Sequence, residues 1–492
     1  MRLSEFTQVW ASWGSPSDSW KGEDVHLRRA CFDSREVQRG DLFCALPGLQ
    51  HNGDMFLAEA LRKGACAVMR TGAPQVLEVP EFLIDLQSDP AEAAGWAAHF
   101  LAGKPSEEMM VVAVTGTNGK TTLVHLLEQA MTQCGIPAAR SGTLGLSYRG
   151  EERSTPNTTP AADVLHSWLA DIRTQGAKAL VLEASSHGLD QKRLAGLPVD
   201  LVGWTNLTQD HLDYHHSMEE YAKAKARLVH SLPAEGHAFL PFNHALVQGA
   251  CRGARCGMSS WSLDSSDADL RGQFSVVKEG GLQLLIEGEW GNAEIMSPMV
   301  GKHNAANLLL AFGLMRASGA SAEEAARALG ALQGAPGRLE EVAPESDWHL
   351  FVDYAHTPDA LSHAVDALRE VYPESKIGVV FGAGGDRDQD KRPLMGEAVA
   401  TRADWCVITS DNPRTENPSN IVDAVAQGAR FGSANVSTCT DRRAAIQMGL
   451  NRLRPGDVLL LAGKGHEPYQ EIHGVREPFD DRIELAEAAR CQ

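Results

Sequence analysis

The stretch "MMVVAVTGTNGKTTLVHLL", residues 109–127, decides the fold of the surrounding chain. Its near-continuous apolar run is typical of a buried parallel strand, and the glycine loop that follows leads into the start of a helix. Proteins hold phosphate groups at such strand-to-helix turns. The loop nevertheless departs from the usual G-x-x-x-x-G-K-[ST] pattern, because its first glycine is Gly116 and the residue five positions before Gly119 is Val114.

The loop carries the groups that a triphosphate site needs: backbone N–H donors, a lysine and a hydroxyl for Mg²⁺. Lys120 can reach the β- and γ-phosphates, Thr121 can bind Mg²⁺, and Thr122 supports the helix start. A glycine-rich turn with a surface lysine is the alternative, but the flanking strand and helix favour a phosphate site. The predicted phosphate-binding residues are Gly116, Thr117, Asn118, Gly119, Lys120, Thr121 and Thr122.

Composition places the chain among globular proteins with a sizeable core. Its 492 residues are 43% hydrophobic and 22% charged, with a formal net charge of −19. This acidic balance disfavours nucleic acids and anionic membranes, so we expect neither as a partner. Scattered cysteines without a C-x-x-C pair, and a start "MRLSEFTQVWASWG" without an apolar signal segment, favour a cytoplasmic protein.

The pattern of apolar runs and breaks predicts an α/β protein with three domains, 1–104, 105–337 and 338–492. Polar segments with Gly and Pro mark the junctions, "GKPSEEM" at 103–109 and "APGRLEEV" at 335–342. The central domain is predicted to contain a parallel sheet. In the last domain, strands again run into glycine-rich and charged loops, as in "KIGVVFGAGGDRD", which predicts a second doubly wound, Rossmann-like domain.

Two further strands of the central domain are predicted to end at the same edge of the sheet as the glycine loop. Glu183 ends "ALVLE", where a carboxylate is a natural Mg²⁺ ligand, although a solvated glutamate fits equally well. The second strand leads into "TNLTQDHLDYHH", which contains His211, Asp213 and His215. Two alternatives stay open for these three residues: a transition-metal site, or a polar loop whose histidines share no role.

Five motifs resemble those of the Mur ligases, the ATP-dependent amide-forming enzymes of peptidoglycan precursor synthesis: "GTNGKTT", "EASSHGLDQKR", "TNLTQDHLDYH", "GKHNAANLLLA" and "APGRLE". They stand in the family's order, the resemblance covers essentially the whole chain, and the shortened loop is the family's own form. The segments "DSR", "TPNTTP", "GAGGDRDQDKRP", "DNPRTENP" and "AGKGHEPYQ" are similar to those of members that add meso-diaminopimelate to UDP-N-acetylmuramoyl-L-alanyl-D-glutamate.

The resemblance implies an N-terminal α/β domain that binds the UDP-sugar, a central P-loop-type ATPase domain, and a C-terminal domain that binds the amino acid. It implies that ATP phosphorylates the γ-carboxylate of the D-glutamyl end of the precursor and that an amine of diaminopimelate attacks the acyl phosphate. Such chemistry depends on positioning and charge neutralisation. The implied catalytic residues are Lys120, Glu183, His211 and Lys225.

The resemblance also implies two Mg²⁺ ions and a carbamate on a lysine that helps to hold one of them. The residue pattern alone would leave Lys223 and Lys225 on the solvated face of a helix, and placement in the family favours Lys225 as the carbamylated residue. The implied metal ligands are Thr121, Glu183, His211 and carbamylated Lys225.

Two binding pockets follow from the same resemblance. The UDP end of the nucleotide precursor is assigned to Ser34, Leu49, Gln50 and His51. Its peptide end is assigned to Asn157, Thr158, Thr159, Ser185, Gln191 and Arg193. The further residues assigned to ATP are His303, Asn304 and Asn307 for the base and ribose, with Arg338, Asp353, Tyr354 and His356 near the phosphates or the domain hinge.

The choice of amino acid is assigned to the segment "DNPR". Diaminopimelate differs from lysine by one carboxylate, so a site that rejects lysine needs a cation that is left unpaired without this group. Arg414 offers a planar guanidinium for bidentate binding of a carboxylate, and Glu467 suits the distal ammonium. The other residues implied for this pocket are Arg387, Asp411, Asn412, Pro413 and Gly463.

Three alternatives to this assignment stay open. A folylpolyglutamate synthetase-like ligase shares the ATPase core but lacks a first domain of this kind. The same family reaction with L-lysine would not need Arg414. A nucleotide-gated binding protein on this fold would be expected to lose Lys120, Glu183, His211 or Lys225, and all four are present. The resemblance further implies small-molecule substrates and a monomer.

Overall fold

The computed structural model describes residues 1–11, 13–16, 23–48, 51–277 and 281–490. Leu49 and Gln50, both predicted to bind the nucleotide precursor, lie outside these ranges. The chain forms two units. They are Met1–Arg271 with Glu287–Asn292 and Leu309–Ala328, and Gly272–Ile286 with Ala293–Leu308 and Leu329–Gln492.

An N-terminal sheet with three helices begins the first unit. Its elements are α1 (Leu3–Trp10), β1 (Gly14–Pro16), β2 (Ala30–Cys31), β3 (Leu42–Ala45), α2 (Leu57–Lys63), β4 (Ala67–Arg70), β5 (Glu81–Ile84) and α3 (Pro90–Leu101). The strand order is β1-β5-β4-β3-β2, and all pairs except β1 with β5 are parallel. Every residue of β3 and β4 is buried, as expected for apolar strands covered on both faces.

A larger, mostly parallel sheet forms the centre of the first unit. Its elements are β6 (Met110–Thr115), α4 (Lys120–Gln133), β7 (Ala138–Gly142), β8 (Gly145–Tyr148), β9 (Glu151–Arg153), α5 (Ala162–Thr174), β10 (Ala179–Glu183), α6 (Ser186–Asp190), β11 (Leu201–Trp204), α7 (Leu212–His215), α8 (Met218–His230), β12 (His237–Pro241), α9 (Ala245–Ala250), β13 (Gly257–Ser262) and β14 (Leu270–Val276). The order is β14-β13-β12-β11-β6-β10-β7-β8-β9.

Strand β6 lies in the middle of this sheet and pairs in parallel with β10 on one side and β11 on the other. Glu183 is in register with Val114, and Trp204 with Thr115, so the three strands end at one edge. The chain leaves β6 where the strand order reverses. Ligands of open α/β sheets bind at such a switch point, outside the carboxyl ends of the strands.

The N-terminal sheet is joined to the central sheet by close packing of α3 against α5 and the segment after α6. A Cβ on Gly95 would collide with Ala195, and a Cβ on Gly196 would lie 2.8 Å from the carbonyl oxygen of Gly95. Beside this contact, the rings of His99 and His166 have centroids 5.1 Å apart. Helix α3 and the segment after α6 are therefore held at a short backbone-to-backbone distance, which glycine permits.

The next elements along the chain are β15 (Leu282–Gly288), β16 (Ala293–Ser297), α10 (Lys302–Ala317), α11 (Ala322–Gly330), β17 (Glu340–Val342), β18 (His349–Asp353), α12 (Pro358–Val371), β19 (Ile377–Phe381), α13 (Lys391–Ala400), β20 (Trp405–Ile408), α14 (Pro418–Ala429), β21 (Asn435–Thr438), α15 (Arg442–Leu450), β22 (Val458–Ala462), β23 (Tyr469–Ile472), β24 (Val475–Pro478) and α16 (Asp481–Arg490). In the second unit, a sheet of order β17-β18-β22-β19-β20-β21 is parallel except for β17, and β23 and β24 form a hairpin. The neighbours β22, β19 and β20 end at one edge of this sheet.

Helix starts in the second unit follow the expected capping chemistry. Thr357 accepts the amide N–H of Ala360 before Pro358 opens α12, and Asn417 accepts that of Ser419 before Pro418 opens α14. The segment "TPDALSHAVDALREV", residues 357–371, forms this capped helix α12. The predicted junction at 335–342 is partly structured, because Glu340–Val342 adds an antiparallel edge strand to β18.

Two ion pairs between α15 and α16 allow a matched stability test. Arg442 and Asp481 are fully buried, with the guanidinium donating two hydrogen bonds to the carboxylate at 2.6 and 2.8 Å. Removing one partner of such a pair leaves the other charge buried and unpaired, which lowers stability by about 3–5 kcal/mol. Asp481→Asn is therefore expected to lower the free energy of unfolding by about that amount in urea denaturation. Glu484→Gln, which breaks the exposed pair with Arg443, should cost under about 1 kcal/mol; equal losses would contradict the prediction.

Candidate functional site

The glycine loop between β6 and α4, residues 116–119, adopts a backbone that needs glycine. Gly116 has φ of 141° and Gly119 has φ of 86°, both in the region that side chains disfavour. A Cβ on Gly116 would also collide with the hydroxyl of Thr205. The strand–loop–helix prediction for this stretch is confirmed by β6 and α4. We call residues 116–122 the phosphate loop.

The segment after β11 fastens the phosphate loop to the sheet edge. The hydroxyl of Thr205 donates to the carbonyl of Asn118 at 2.6 Å, and the amide N–H of Asn118 donates to the side chain of Asn206 at 2.9 Å. Thr117 and Thr208 exchange two hydrogen bonds at 3.0 and 3.1 Å. The loop is therefore pre-organised by "TNLT", residues 205–208.

Two lysines meet at one carbonyl of the phosphate loop. Lys120 donates to the carbonyls of Gly116 at 3.0 Å and Thr117 at 2.8 Å, and Lys225 donates to that of Gly116 at 2.8 Å. Lys225 is 1% exposed, and its ammonium lies 4.4 Å from the ring centroid of Tyr221. Burial, followed by the charge of Lys120, lowers the pKa of Lys225 well below its usual range. Its amine is thus far easier to deprotonate than that of an exposed lysine.

Glu183 lies at the end of β10 among hydroxyl groups. Its carboxylate accepts the hydroxyl of Thr121 at 3.2 Å, the hydroxyl of Thr143 at 3.1 Å and the amide N–H of Thr143 at 2.8 Å. A Cβ on Gly142 would collide with this carboxylate. Thr143 was not predicted, because nothing in "SGTLG" distinguishes a threonine that reaches a glutamate forty residues away in sequence.

The donor set suits a hard cation. A carboxylate and hydroxyl oxygens beside a phosphate loop are the ligands that Mg²⁺ prefers, with phosphate oxygens and water completing the shell. A carbamate on Lys225 would add a further anionic oxygen ligand. The predicted ligands Thr121 and Glu183 are brought together. Lys225 donates to Gly116 of the phosphate loop, which also contains Thr121.

His211, the remaining predicted metal ligand, has left-handed backbone with φ of 52° and is partly exposed. Its ring lies 4.8 Å from that of His187, and His215 is buried behind it, with its ring 5.2 Å from that of Tyr221. Within the described residues, no three or more His, Cys, Asp or Glu side chains are grouped to hold a metal ion. The transition-metal alternative for His211, Asp213 and His215 therefore has no support.

The residues predicted for the peptide end of the precursor lie next to Glu183. The hydroxyl of Thr159 lies 3.0 Å from that of Ser185, and Arg193 donates to the carbonyl of Thr159 at 3.0 Å and to Gln191 at 2.6 Å. The hydroxyls of Thr158 and Thr143 are 3.3 Å apart. Asn157 is exposed at the start of this group. Hydroxyls, an amide and an arginine form a surface that suits carboxylates.

Ser34 and His51, the described residues predicted for the UDP end, lie in the N-terminal part of the first unit. Ser34 is buried and donates to Glu59 at 2.7 Å, while His51 is exposed beside the ring of Phe56. The two residues share no hydrogen bond. Loops after β2 and β3 carry them, at the carboxyl ends of neighbouring parallel strands.

Of the residues predicted for the remainder of ATP, Asn304 and Asn307 share a helix face as expected, with a hydrogen bond of 3.3 Å between their side chains. His303 is exposed at the same end of α10. The other four predicted residues belong to the segment around β18. Asp353 accepts the amide N–H groups of Leu339 and Ala355 at 2.7 Å each. Arg338 lies 4.6 Å from the ring centroid of Tyr354, and Nδ1 of His356 lies 2.8 Å from the carbonyl oxygen of Tyr354.

Arg414 is held by the hairpin of β23 and β24. Its amide N–H donates to Glu471 at 3.0 Å, its carbonyl accepts from His473 at 2.6 Å, and its φ is 53°, which is unusual for a residue other than glycine. The guanidinium donates to the carbonyl of Gly385 at 2.6 Å, in the loop after β19. Backbone strain at a residue fixed on both sides is typical of functional positions.

A polar cluster surrounds Asn412 at the ends of β20 and β22. The side-chain oxygen of Asn412 accepts from Lys464 at 3.1 Å and from the amide N–H of Glu471 at 2.9 Å. Its amide nitrogen must therefore face Glu467, to which it donates at 2.8 Å. Burial and the charge of Asp411 raise the pKa of Glu467, while Lys464 opposes that rise. The C-terminal cluster denotes Asp411, Asn412, Arg414, Lys464 and Glu467.

The other predicted members of this pocket differ in their placement. Gly463 has φ of 117°, and a Cβ there would lie 2.5 Å from a carboxylate oxygen of Asp411. Pro413 is buried next to Arg414. Arg387 is exposed on the loop after β19, outside the hydrogen-bonded cluster. Sequence reasoning placed all of these in one pocket, and the structure brings Asp411, Asn412, Gly463 and Glu467 together.

Lys464 is a second residue, after Thr143, that sequence reasoning missed. It is fully buried, it lies 3.6 Å from Glu467 and 3.9 Å from Asp411, and burial lowers its pKa. Lys464→Met should remove one donor from the side-chain oxygen of Asn412 and leave two carboxylates without their cation. We expect the KM for the amino-acid substrate to rise about tenfold, with the KM for ATP unchanged, in steady-state kinetics.

Lys376→Met is the matched control for this substitution. Lys376 is exposed at the opposite end of the same sheet and pairs with Asp404 at 2.7 Å. Its replacement should leave both KM values unchanged. A rise in the KM for ATP that equals the rise for the amino acid in Lys464→Met would contradict the assigned role.

Within the described residues, no helix combines the length and hydropathy that crossing a membrane requires. Residues 114–315 match the Mur ligase middle domain, and residues 337–465 match the Mur ligase glutamate ligase domain.

Two curated relatives carry the name UDP-N-acetylmuramoyl-L-alanyl-D-glutamate–2,6-diaminopimelate ligase. The protein from Chromobacterium violaceum is 39% identical over 94% of this chain and 94% of its own length. That from Caulobacter vibrioides is 41% identical over 93% of this chain and 94% of its own length. A solved structure of the same name is 34% identical, covers 94% of this chain and 95% of its own, and superposes with a TM-score of 0.68.

The parallel sheet and the fastened glycine loop at its switch point define a phosphate-loop α/β protein. Sequence identity over nearly the whole length goes further. The chain belongs to the Mur ligase family and has that family's three-domain α/β fold.

Proposed function

We propose that this protein is an ATP-dependent ligase that joins meso-diaminopimelate to UDP-N-acetylmuramoyl-L-alanyl-D-glutamate in peptidoglycan precursor synthesis. The observation that carries the proposal is the C-terminal cluster, in which a guanidinium and a pair of carboxylates lie at one sheet edge. A zwitterionic amino-acid centre needs a cation to bind its carboxylate and an anion to bind its ammonium group. The names and coverage of the relatives support the same reaction.

ATP is the phosphoryl donor, and the phosphate loop holds it. Backbone N–H groups of a loop at a helix N-terminus bind phosphate oxygens, and Lys120 supplies the charge for the β- and γ-phosphates. Mg²⁺ held by Thr121 and Glu183 would neutralise the negative charge of the triphosphate. The loop is fixed by Thr205 and Asn206 before ligand arrives, so little ordering is needed on binding.

Lys225 is carbamylated in the working enzyme. Carbamylation joins the neutral amine to CO₂ with release of a proton, and the lowered pKa of the buried amine favours that neutral form. The product places a negative group beside Lys120, in place of two amines that repel each other. With His211, it completes the proposed set of metal ligands.

The dipeptide end of the acceptor binds at Thr158, Thr159, Ser185 and Arg193. These residues lie next to Glu183 and the phosphate loop, so the γ-carboxylate of the D-glutamyl end is presented close to the γ-phosphate of ATP. Phosphoryl transfer gives an acyl phosphate. Attack by the amine of diaminopimelate then forms the amide and releases phosphate.

Selection of diaminopimelate over lysine rests on Arg414 and Glu467. Arg414 pairs with the distal carboxylate that lysine lacks, and Glu467 with the distal ammonium. The folylpolyglutamate alternative is disfavoured because the relatives align over 93–94% of this chain, including the N-terminal sheet. We further propose that the enzyme works as a cytoplasmic monomer with domains 1–104, 105–337 and 338–492, which sedimentation and limited proteolysis can test.

The decisive experiment is mass spectrometry of the product formed from UDP-N-acetylmuramoyl-dipeptide, ATP and either diaminopimelate or lysine. We expect the mass of the precursor plus diaminopimelate minus water, with one phosphate released per product. Efficient incorporation of lysine, or elongation of a folate instead of the nucleotide precursor, would contradict the proposal.

A further inference from the structure

The start of helix α5 is bonded to the loop that carries Ser34. The carboxylate of Asp163, in the first turn of α5, accepts the amide N–H of Phe32 at 2.9 Å. Phe32 directly follows β2 and stands two residues before Ser34. This bond joins the loop after β2 of the N-terminal sheet to a helix of the central sheet, within the first unit.

The same helix start is joined on its other side to the proposed peptide subsite. Thr158 and Thr159 precede α5 by only a few residues, and Thr159 is tied to the strand end by a hydrogen bond of 2.8 Å to the carbonyl of Glu183. One short stretch, residues 158–163, therefore contacts both the nucleotide-end loop and the peptide-end residues. No other contact of the described residues joins the Phe32–Ser34 loop to residues 158–163 by a hydrogen bond.

The position of Asp163 is costly for a carboxylate. Burial raises the pKa of Asp163, and the amide N–H of Phe32 opposes that rise. Within the described residues, its second oxygen is buried without a hydrogen-bond partner. Asp163 also lines a cavity of about 420 Å³ with Arg28, Arg29 and Arg153. Burying a carboxylate with one unpaired oxygen costs free energy, and the bond from Phe32 offsets only part of that cost.

Close packing lies beside the hydrogen bond between Asp163 and the amide N–H of Phe32. Gly95, Ala195 and Gly196 bring α3 and the segment after α6 together at backbone distance. The Phe32–Ser34 loop is joined to residues 158–163 by the hydrogen bond between Phe32 and Asp163. Its register against Thr158 and Thr159 depends on the bond from Asp163.

We propose that Asp163 is a positioning residue that sets the register between the nucleotide end and the peptide end of the acceptor site. The inference rests on the proposed function for the identity of the acceptor. A ligand that spans both subsites gains affinity because its two ends are linked, and that gain is lost when the subsites are out of register. A ligand that occupies one subsite is unaffected.

The test compares Asp163→Ala, Asp163→Asn and Asp171→Ala in steady-state kinetics with all three substrates. Asp171 is exposed on the same helix and does not contact Phe32. Asp163→Ala should raise the KM for the complete UDP-linked dipeptide about tenfold, while kcat and the KM values for ATP and diaminopimelate change less than about twofold. Asp163→Asn keeps an acceptor for the Phe32 N–H and should restore most of the affinity. Asp171→Ala should match wild type.

Two fragments serve as probes of register: UDP, and the muramoyl dipeptide without its nucleotide. Their inhibition constants should be the same in wild type and Asp163→Ala. A rise for UDP that equals the rise for the complete substrate would overturn the proposal, as would equal changes in all three KM values with a lowered melting temperature. An unchanged KM in Asp163→Ala would overturn it too. Failure of the proposed ligase function would be recognised separately from failure of the Asp163 proposal, because the wild-type protein would then form no ligated product.

Discussion

Replacing Lys225 by alanine is expected to lower kcat on the order of 10³-fold, the largest single effect predicted for this chain. Lys225 is buried at the carbonyl of Gly116, which also accepts Lys120. Without its carbamate, the proposed metal set loses an anionic ligand at the point where triphosphate and carboxylate charges are brought together. The measurement is phosphate release with the complete substrate mixture at saturating Mg²⁺.

The alanine variant also allows a test by chemical rescue. Removal of the lysine side chain leaves space where a small carboxylate can take the place of the carbamate. Added formate or acetate is therefore expected to restore part of the activity of Lys225→Ala and to leave wild type unchanged.

Lys223→Ala provides the matched control, since Lys223 lies two residues away on the same helix, is exposed and pairs with Glu220 at 2.7 Å. It should retain wild-type activity. Near-full activity of Lys225→Ala, with unchanged circular dichroism for both variants, would rule out the proposed role of Lys225.

Arg414→Ala is expected to lower kcat/KM for diaminopimelate about 10²-fold or more, because truncating one partner of a desolvated charge pair costs about 2–5 kcal/mol. The value for lysine should change little, since lysine has no carboxylate at that end. The preference for diaminopimelate over lysine should therefore shrink by the same factor. Competition of the two amino acids in one reaction, read by product mass, measures the ratio directly.

Two further variants separate charge from geometry at this position. Arg414→Lys keeps the positive charge but loses the planar fork, so it should recover only part of the preference. Arg476→Ala removes an exposed arginine of the same hairpin, which pairs with Glu471 at 3.1 Å, and should leave the preference intact. If Arg414→Ala keeps the wild-type preference, another group must select the amino acid.

Local pattern was sufficient to predict the phosphate loop and the strand ends that face it. The apolar run before Gly116, and "ALVLE" before Glu183, have the signature of buried parallel strands, and β6 and β10 confirm them. Because parallel strands share an edge, the proximity of Thr121 to Glu183 also followed. The α/β fold was thus accessible from periodicity and turn residues alone.

The remaining contacts depend on pairs that are distant in sequence and carry no local signal. Lys464 resembles any lysine in a glycine-rich loop until β22 places it beside Asn412, 52 positions away in sequence. Asp163 looks like an ordinary acidic residue in a first helical turn, and its bond to Phe32 spans 131 positions. Residue pattern alone also assigned Lys225 to a solvated face, whereas α8 buries it under the loop. The roles of the individual site residues stay predictions.

The left-handed backbone of Arg414 restricts how this family member could evolve a different substrate. Any replacement inherits a φ of 53° that is fixed by Glu471 and His473. Glycine, asparagine and aspartate tolerate such a backbone, whereas valine, isoleucine and threonine do not. Under the proposed function, the replacements of Arg414 that fit this backbone are mostly small or acidic residues, which do not attract a carboxylate.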